Sequence, residues 1–234
     1  SYGGFAAPQR ISLTKIKNEM IDEIQLSYTN PVFMQYAYRM YNADMQPILE
    51  QMKKHFGFKK LFGGKGLTAR ELKRYSYSFG LEDFDSFYEL PKYGTYNEAV
   101  AALTKGFADK SNGISLVYKI KIPNKNQIIF GVAMSASDSG EKELNVKKTM
   151  SIIDHLPLKR TAYLPYEIMV DENKIVALHA RFRIAAYFYD LMMFGKHGFG
   201  KLMSTPTAYK NAFVLVSGGS LYQPQKGGNG FFDD

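Results

Sequence analysis

The sequence predicts an α+β fold: a helical N-terminal half, then a mainly antiparallel sheet of about five strands, then a C-terminal helix. Three observations predict it. Apolar residues recur every three to four positions through much of the first 110 residues, and after Asn112-Gly113 they recur at every second position. Thr205-Pro206 then opens a last helical run that stops at Gly218-Gly219. The 234 residues suffice for one sizeable core, and no linker divides them. A single domain is expected over 1–234, with a helical part over about 12–110 and a sheet with its closing helix over about 114–219.

The first helix is expected from Ser12 to about Ser27, because Leu13, Ile16, Met20 and Ile24 share one helical face. Asn30-Pro31 supplies a cap and a first-turn proline for a second. That helix, Val32 to Tyr41, carries Phe33, Met34, Tyr36, Tyr38 and Met40 nearly all round, so it is buried deeply or docks a partner. Asp44 can cap a third, ending at His55-Phe56-Gly57. Two capping boxes follow, Thr68 with Glu71 and Thr95 with Glu98, the second opening a helix through Ala99, Val100, Leu103 and Phe107. Between them, Tyr75 to Tyr93 reads as irregular or short-helical.

Beyond Asn112-Gly113, Ile114, Leu116, Tyr118, Ile120 and Ile122 alternate with Ser115, Val117, Lys119 and Lys121, as a half-buried strand requires. Pro123 to Asn126 turns the chain into a second strand, Gln127 to Ser135. A third is expected over Leu144 to Ile153, a fourth over Thr161 to Val170, and a fifth from Ile175 to about Tyr187. Successive hairpins imply antiparallel pairing, with one apolar face covered by helices. The tail 223–234 lacks core-forming periodicity and is expected to be mobile unless a partner holds it. The opening Ser1-Tyr2-Gly3-Gly4-Phe5 has no initiator Met, which fits a processed mature end or an arbitrary starting point.

Composition removes several chemistries. With no cysteine there is no disulfide, thiolate metal site, iron–sulfur cluster or thiol nucleophile. The four histidines, at 55, 155, 179 and 197, lack metal-ligand spacing, so neither a metal nor another cofactor is predicted. Gly63-Gly64-Lys65-Gly66 lacks the Ser or Thr and the earlier glycine of a nucleotide P-loop. Ser135, Ser137 and Ser139 sit in no nucleophile elbow, and Asp154-His155 are sequence neighbours that a strand would point to opposite faces. No catalytic residue is predicted, and no apolar run is long enough to span a membrane.

Charge is what the sequence concentrates. Lys53, Lys54, Lys59, Lys60, Lys65, Arg70, Lys73 and Arg74 face one acid, Glu71; eight bases against it leave +7, close to the net +8 of the chain. Phe56, Phe58 and Phe62 interleave with Gly57, Gly63, Gly64 and Gly66. Cations, rings and permissive backbone together suit recognition of an anionic surface, whereas phenylalanines turned inward would make this an ordinary solvated connection. A second glycine–aromatic stretch, Phe194 to Lys201, includes Lys196. His179, Arg181 and Arg183 are expected on one strand face, either binding acidic groups or pairing with acids such as Glu167 on the neighbouring strand.

In general character the chain resembles the accessory linker polypeptides of light-harvesting antennae (phycobilisome linkers). The Lys53–Arg74 cluster, the aromatic run Phe33 to Tyr41, and the glycine-flanked ends Ser1-Tyr2-Gly3-Gly4-Phe5 and Gly227-Gly228-Asn229-Gly230-Phe231 carry that resemblance. It implies a basic, aromatic subunit of a photosynthetic assembly lying against acidic protein, in a plastid after processing or in a bacterial cytoplasm. The predicted sheet departs from the mostly helical linker domain, and no functional residue carries over. The sequence therefore reads as a non-catalytic binding or assembly component with an acidic protein partner. Two alternatives stand beside it: nucleic-acid binding through the same basic loop, and a small-ligand or enzymatic domain with its pocket between sheet and helices. Peripheral contact with an anionic surface fits the same charge.

Overall fold

A computed structural model describes residues 2–17, 22–63, 66–73, 82, 84–109, 112–136 and 141–221. The tail 223–234, Lys65 and Arg74, most of 75–83, and the side chain of Lys73 lie outside the described residues.

The fold is α+β, built on a five-stranded antiparallel sheet of order β3-β7-β6-β5-β4. Its strands are β3 (Phe87–Lys92), β4 (Ile114–Lys121), β5 (Gln127–Met134), β6 (Tyr166–Asp171) and β7 (Lys174–Leu178). The β4–β5 hairpin appears where the alternating pattern places it, with Ile114 opposite Met134 and Lys121 opposite Ile128. Gly131 is required there because the Tyr118 ring lies across its α-carbon, where a Cβ would overlap it.

The sheet is covered on both faces, not on one. Phe130, Ile168, Val170 and Ala177 pack against α4 (Tyr96–Ala108) and α7 (Thr205–Val216) through Leu103, Tyr209 and Phe213. Ile129, Met169 and Leu178 pack on the opposite side against Phe5, Tyr38 and Phe182. These come from the N-terminal 3-10 turn Tyr2–Ala6, the end of α1 (Pro31–Ala37), and α6 (Ala180–Tyr187). Every residue from Tyr166 to Val170 is buried, so β6 is the centre of a three-layer sandwich.

Local chemistry set several boundaries as expected. Asn30 caps α1 by accepting from the Val32 and Phe33 amides, with Pro31 in the first turn. The Thr95–Glu98 box opens α4, and the Thr68–Glu71 box opens α3 (Ala69–Lys73). Helix α2 (Gln46–Phe56) stops at Gly57, whose φ of +76° disfavours any residue with a side chain.

Beyond the covering of both faces, four expectations about individual elements are overturned. The helix expected over Ser12–Ser27 is an antiparallel ribbon, β1 (Ile11–Lys17) with β2 (Asp22–Tyr28). Leu13 and Ile16 lie on opposite faces of β1, and Ile24 belongs to the other strand, so the helical spacing arose from reading one window across a hairpin. The strand expected over Leu144–Ile153 is instead a short 3-10 turn followed by α5 (Val146–Ile153), started by Asn145, which accepts from the Lys147 and Lys148 amides. The fifth strand ends at Leu178, and the chain continues as α6. Finally, the described end of the segment Tyr75 to Tyr93, expected to be irregular or short-helical, supplies β3, which pairs with β7.

Candidate partner-binding surface

The surface is built around the end of α2. Gly57 releases the chain into an extended segment in which Phe56, Phe58, Leu61 and Phe62 are all exposed, Phe58 at 52%. The phenylalanines have not turned inward. Lys54, Lys59, Lys60 and Arg70 are exposed as well, and none has an ion-pair partner among the described residues. Lys53 is partly committed: its ammonium meets Glu50 at 3.0 Å and lies 5.2 Å from the centre of the Phe58 ring. Glu71, the sole acid of the stretch, is occupied as the capping carboxylate of α3. The Thr68 amide and hydroxyl both donate to it and hold its pKa below the usual carboxylate value. Glu71 stays ionised but is held by Thr68, and Lys54, Lys59, Lys60 and Arg70 keep their charge without an ion pair among the described residues.

Among the described residues, four contacts moor this segment to the body. The Tyr28 hydroxyl donates to the Gly57 carbonyl at 2.7 Å, and the Tyr28 ring lies 6.2 Å from that of Phe56. The Gly66 amide donates to the Tyr189 hydroxyl at 3.0 Å. Gly63 packs beside the Arg160 guanidinium, itself held by Asp190.

Tyr28 is also the last residue of β2, and this joins the basic segment to the ribbon. Pairing sets Ile11 opposite Tyr28, Leu13 opposite Leu26 and Lys15 opposite Ile24, so these side chains share one face. That face points to solvent: Leu13 is 71% exposed and Ile24 72%, with Ile11 and Leu26 also exposed. The opposite face, which carries Ser12, Thr14, Ile16, Gln25 and Ser27, is turned to the protein. Thr14 meets Thr161 at 2.5 Å, and Gln25 exchanges two hydrogen bonds with the Lys159 backbone at 2.7 and 2.9 Å. Ribbons normally do the reverse. The exposed strip reaches Phe56 through Tyr28, and the chain runs on from Phe56 into exposed Phe58, with Lys53 over its ring, and into exposed Lys59 and Lys60.

The remaining expected site residues are dispersed. His179, Arg181 and Arg183 share no strand face. His179 is the N-cap of α6, its ring 4.6 Å from that of Tyr88. Burial lowers its pKa against the pull of nearby Glu82. Arg181 donates to the same Glu82 at 2.8 Å. Arg183 is 0% exposed and bound to Glu167, so it faces no partner. Pairing with Glu167 was the right chemistry, made by a helix instead of a strand. Lys196 is exposed beside Phe194, in a turn where His197 stacks on His155 at 4.1 Å. Asp154 accepts from the Arg160 amide and organises its loop, its pKa raised by burial.

A surface cleft of about 570 Å3 opens between the N-terminal turn, the α1–α2 loop and the β4–β5 turn. Its lining includes Gln9, Arg39, Tyr41 and Lys125 but no carboxylate or imidazole, so it lacks an acid–base pair. Among the described residues no three His, Asp or Glu side chains converge as metal ligands, and no helix is long and apolar enough to cross a membrane.

The ribbon face escaped the sequence reading although its signal, alternation within each seven-residue strand, was present. No protein-family model, no curated protein and no solved structure matches the chain.

Proposed function

We propose that the chain is a non-catalytic assembly subunit that docks on an acidic protein surface through the β1–β2 ribbon and the Phe56–Phe62 segment. The observation carrying this reading is the inverted ribbon: Ile11, Leu13, Ile24 and Leu26 face outward while Ser12, Thr14, Gln25 and Ser27 face inward. An exposed apolar strip of this kind costs solubility unless it is covered. The lysines at its rim supply steering and selectivity for negative charge, and the phenylalanines supply the desolvated contact. The resemblance to antenna linkers is consistent with such a role and adds an acidic pigment–protein assembly as the partner class.

The test compares the wild-type chain with two variants, Lys54→Ser/Lys59→Ser/Lys60→Ser and Leu13→Ser/Ile24→Ser, in low-salt affinity capture from the native extract. An acidic protein retained by the wild type, released by salt, and lost from both variants while their melting curves stay unchanged is the expected result. Equal capture by all three overturns the reading. A salt-sensitive shift of a random oligonucleotide, with no protein retained, favours nucleic-acid binding instead.

A further inference from the structure

Beneath the sheet lies a charged cluster that the docking surface does not use. Arg10, Glu167 and Arg183 are 6%, 1% and 0% exposed. The Arg183 Nε and Nη2 atoms donate to Glu167 Oε2 at 3.2 and 3.0 Å, and Nη2 also reaches the Tyr163 and Pro165 carbonyls at 2.7 and 2.6 Å. Arg10 pairs with Glu167 Oε1, to which the Tyr118 hydroxyl donates at 3.2 Å. The Arg183 guanidinium carbon sits 4.3 Å from the ring centres of both Tyr163 and Tyr166, and 5.4 Å from that of Tyr187. Arg10 lies 5.1 Å from the Tyr187 ring, so this tyrosine contacts both cations.

Two guanidiniums against one carboxylate leave an excess positive charge in the interior, and the tyrosines do not cancel it. Burial pushes the Tyr38 pKa up to about 12 against the pull of Arg10 and Arg183, and raises that of Tyr163 too, so both are neutral at physiological pH. Around this excess, five buried polar atoms have no hydrogen-bond partner within 3.5 Å: Arg183 Nη1, Arg10 Nε, and the hydroxyls of Tyr38, Tyr163 and Tyr187, that of Tyr163 lying beside the Arg183 side chain at longer range. Buried groups of this kind are normally satisfied by protein, water or an ion. Water would satisfy the donors but leave the charge, and an uncompensated buried charge is the costlier defect. The low exposure of every member argues against an organic acid, which needs an open mouth.

We infer that Arg10, Arg183 and the hydroxyls of Tyr38, Tyr163 and Tyr187 form a buried binding site for one halide-sized monovalent anion, chloride under cellular conditions. The anion neutralises the second guanidinium and accepts the unpaired N–H and O–H donors. It is structural, locking the N-terminal segment and α6 onto β6, and is independent of the docking surface.

The test uses the full chain in sodium chloride, sodium bromide and sodium gluconate at equal ionic strength. The melting midpoint is expected to be higher in both halides than in gluconate and to rise with halide concentration. Crystals grown in bromide are expected to show an anomalous peak within hydrogen-bond distance of Arg183 Nη1. Arg10→Met leaves one guanidinium for one carboxylate and is expected to fold and lose the halide dependence. Tyr187→Phe keeps both charges and is expected to weaken halide binding by roughly tenfold, as for one hydrogen bond to a charged group. Identical midpoints in the three salts, or density at Arg183 Nη1 without anomalous signal, overturn the inference. So does an Arg10→Met protein that keeps the wild-type halide response.

Discussion

Arg183 and Glu167 form a buried ion pair across two layers: the guanidinium, on α6, donates twice to one carboxylate oxygen on β6, at 3.2 and 3.0 Å. Two consequences distinguish such a pair from a surface salt bridge. Its net contribution is small because both charges were stripped of water, yet removing one partner leaves the other stranded. Glu167→Gln strands two guanidiniums and is expected to cost about 3 to 5 kcal/mol in urea unfolding. The double change Glu167→Gln/Arg183→Met leaves Arg10 as the one guanidinium without its carboxylate and is expected to cost less than Glu167→Gln, which a double-mutant cycle closed with Arg183→Met alone measures directly.

His179 gives stability a pH dependence of definite sign. Burial depresses its folded pKa below the ordinary 6.5, so the unfolded chain takes up a proton first as pH falls. Its contribution is full above pH 6.5 and is lost as pH drops through the folded value. Asparagine keeps the N-cap acceptor and does not titrate, so His179→Asn is expected to remove this part of the acid-side loss. Urea midpoints measured from pH 7.5 downward for both proteins check it.

Gly106 is the close-approach point of α4 and α7. A Cβ at this position would overlap the Val216 carbonyl oxygen. Alanine normally strengthens a helix interior, but here Gly106→Ala must push the two helices apart, and the expected outcome is a loss of about 1 to 3 kcal/mol. A higher melting temperature would contradict the packing described.

Leu13→Ser/Ile24→Ser tests the ribbon from the opposite direction. Both side chains are more than two-thirds exposed, so stability is expected to stay within about 0.5 kcal/mol of wild type. Self-association at high concentration is expected to fall, as read by sedimentation velocity.

What the sequence reveals here depends on how local the determining chemistry is. Asn30, the Thr95–Glu98 box and Gly57 act within a few residues, and all were legible. The β4–β5 hairpin was legible because its edge strand β4 keeps an alternating pattern. Helix α6 was not, since Phe182, Arg183, Ile184, Ala185 and Ala186 are all buried, and a helix covered on every side has no amphipathic period to read. The same burial hid Arg183 among residues that looked like a surface row. The basic segment was readable as composition. Its continuity with the ribbon was not, because the Tyr28–Phe56 contact joins residues far apart in the chain.

The orientation of the β1–β2 ribbon has a consequence for how the chain behaves alone in solution. Two strands with apolar flanks and no further strand on either edge, among the described residues, are a template on which another copy can lay itself. Lysines spaced along the neighbouring segment slow that pairing through mutual repulsion, and added salt removes this protection. The free chain is therefore expected to precipitate first in high-salt buffer, which turbidity measured against ionic strength reads directly.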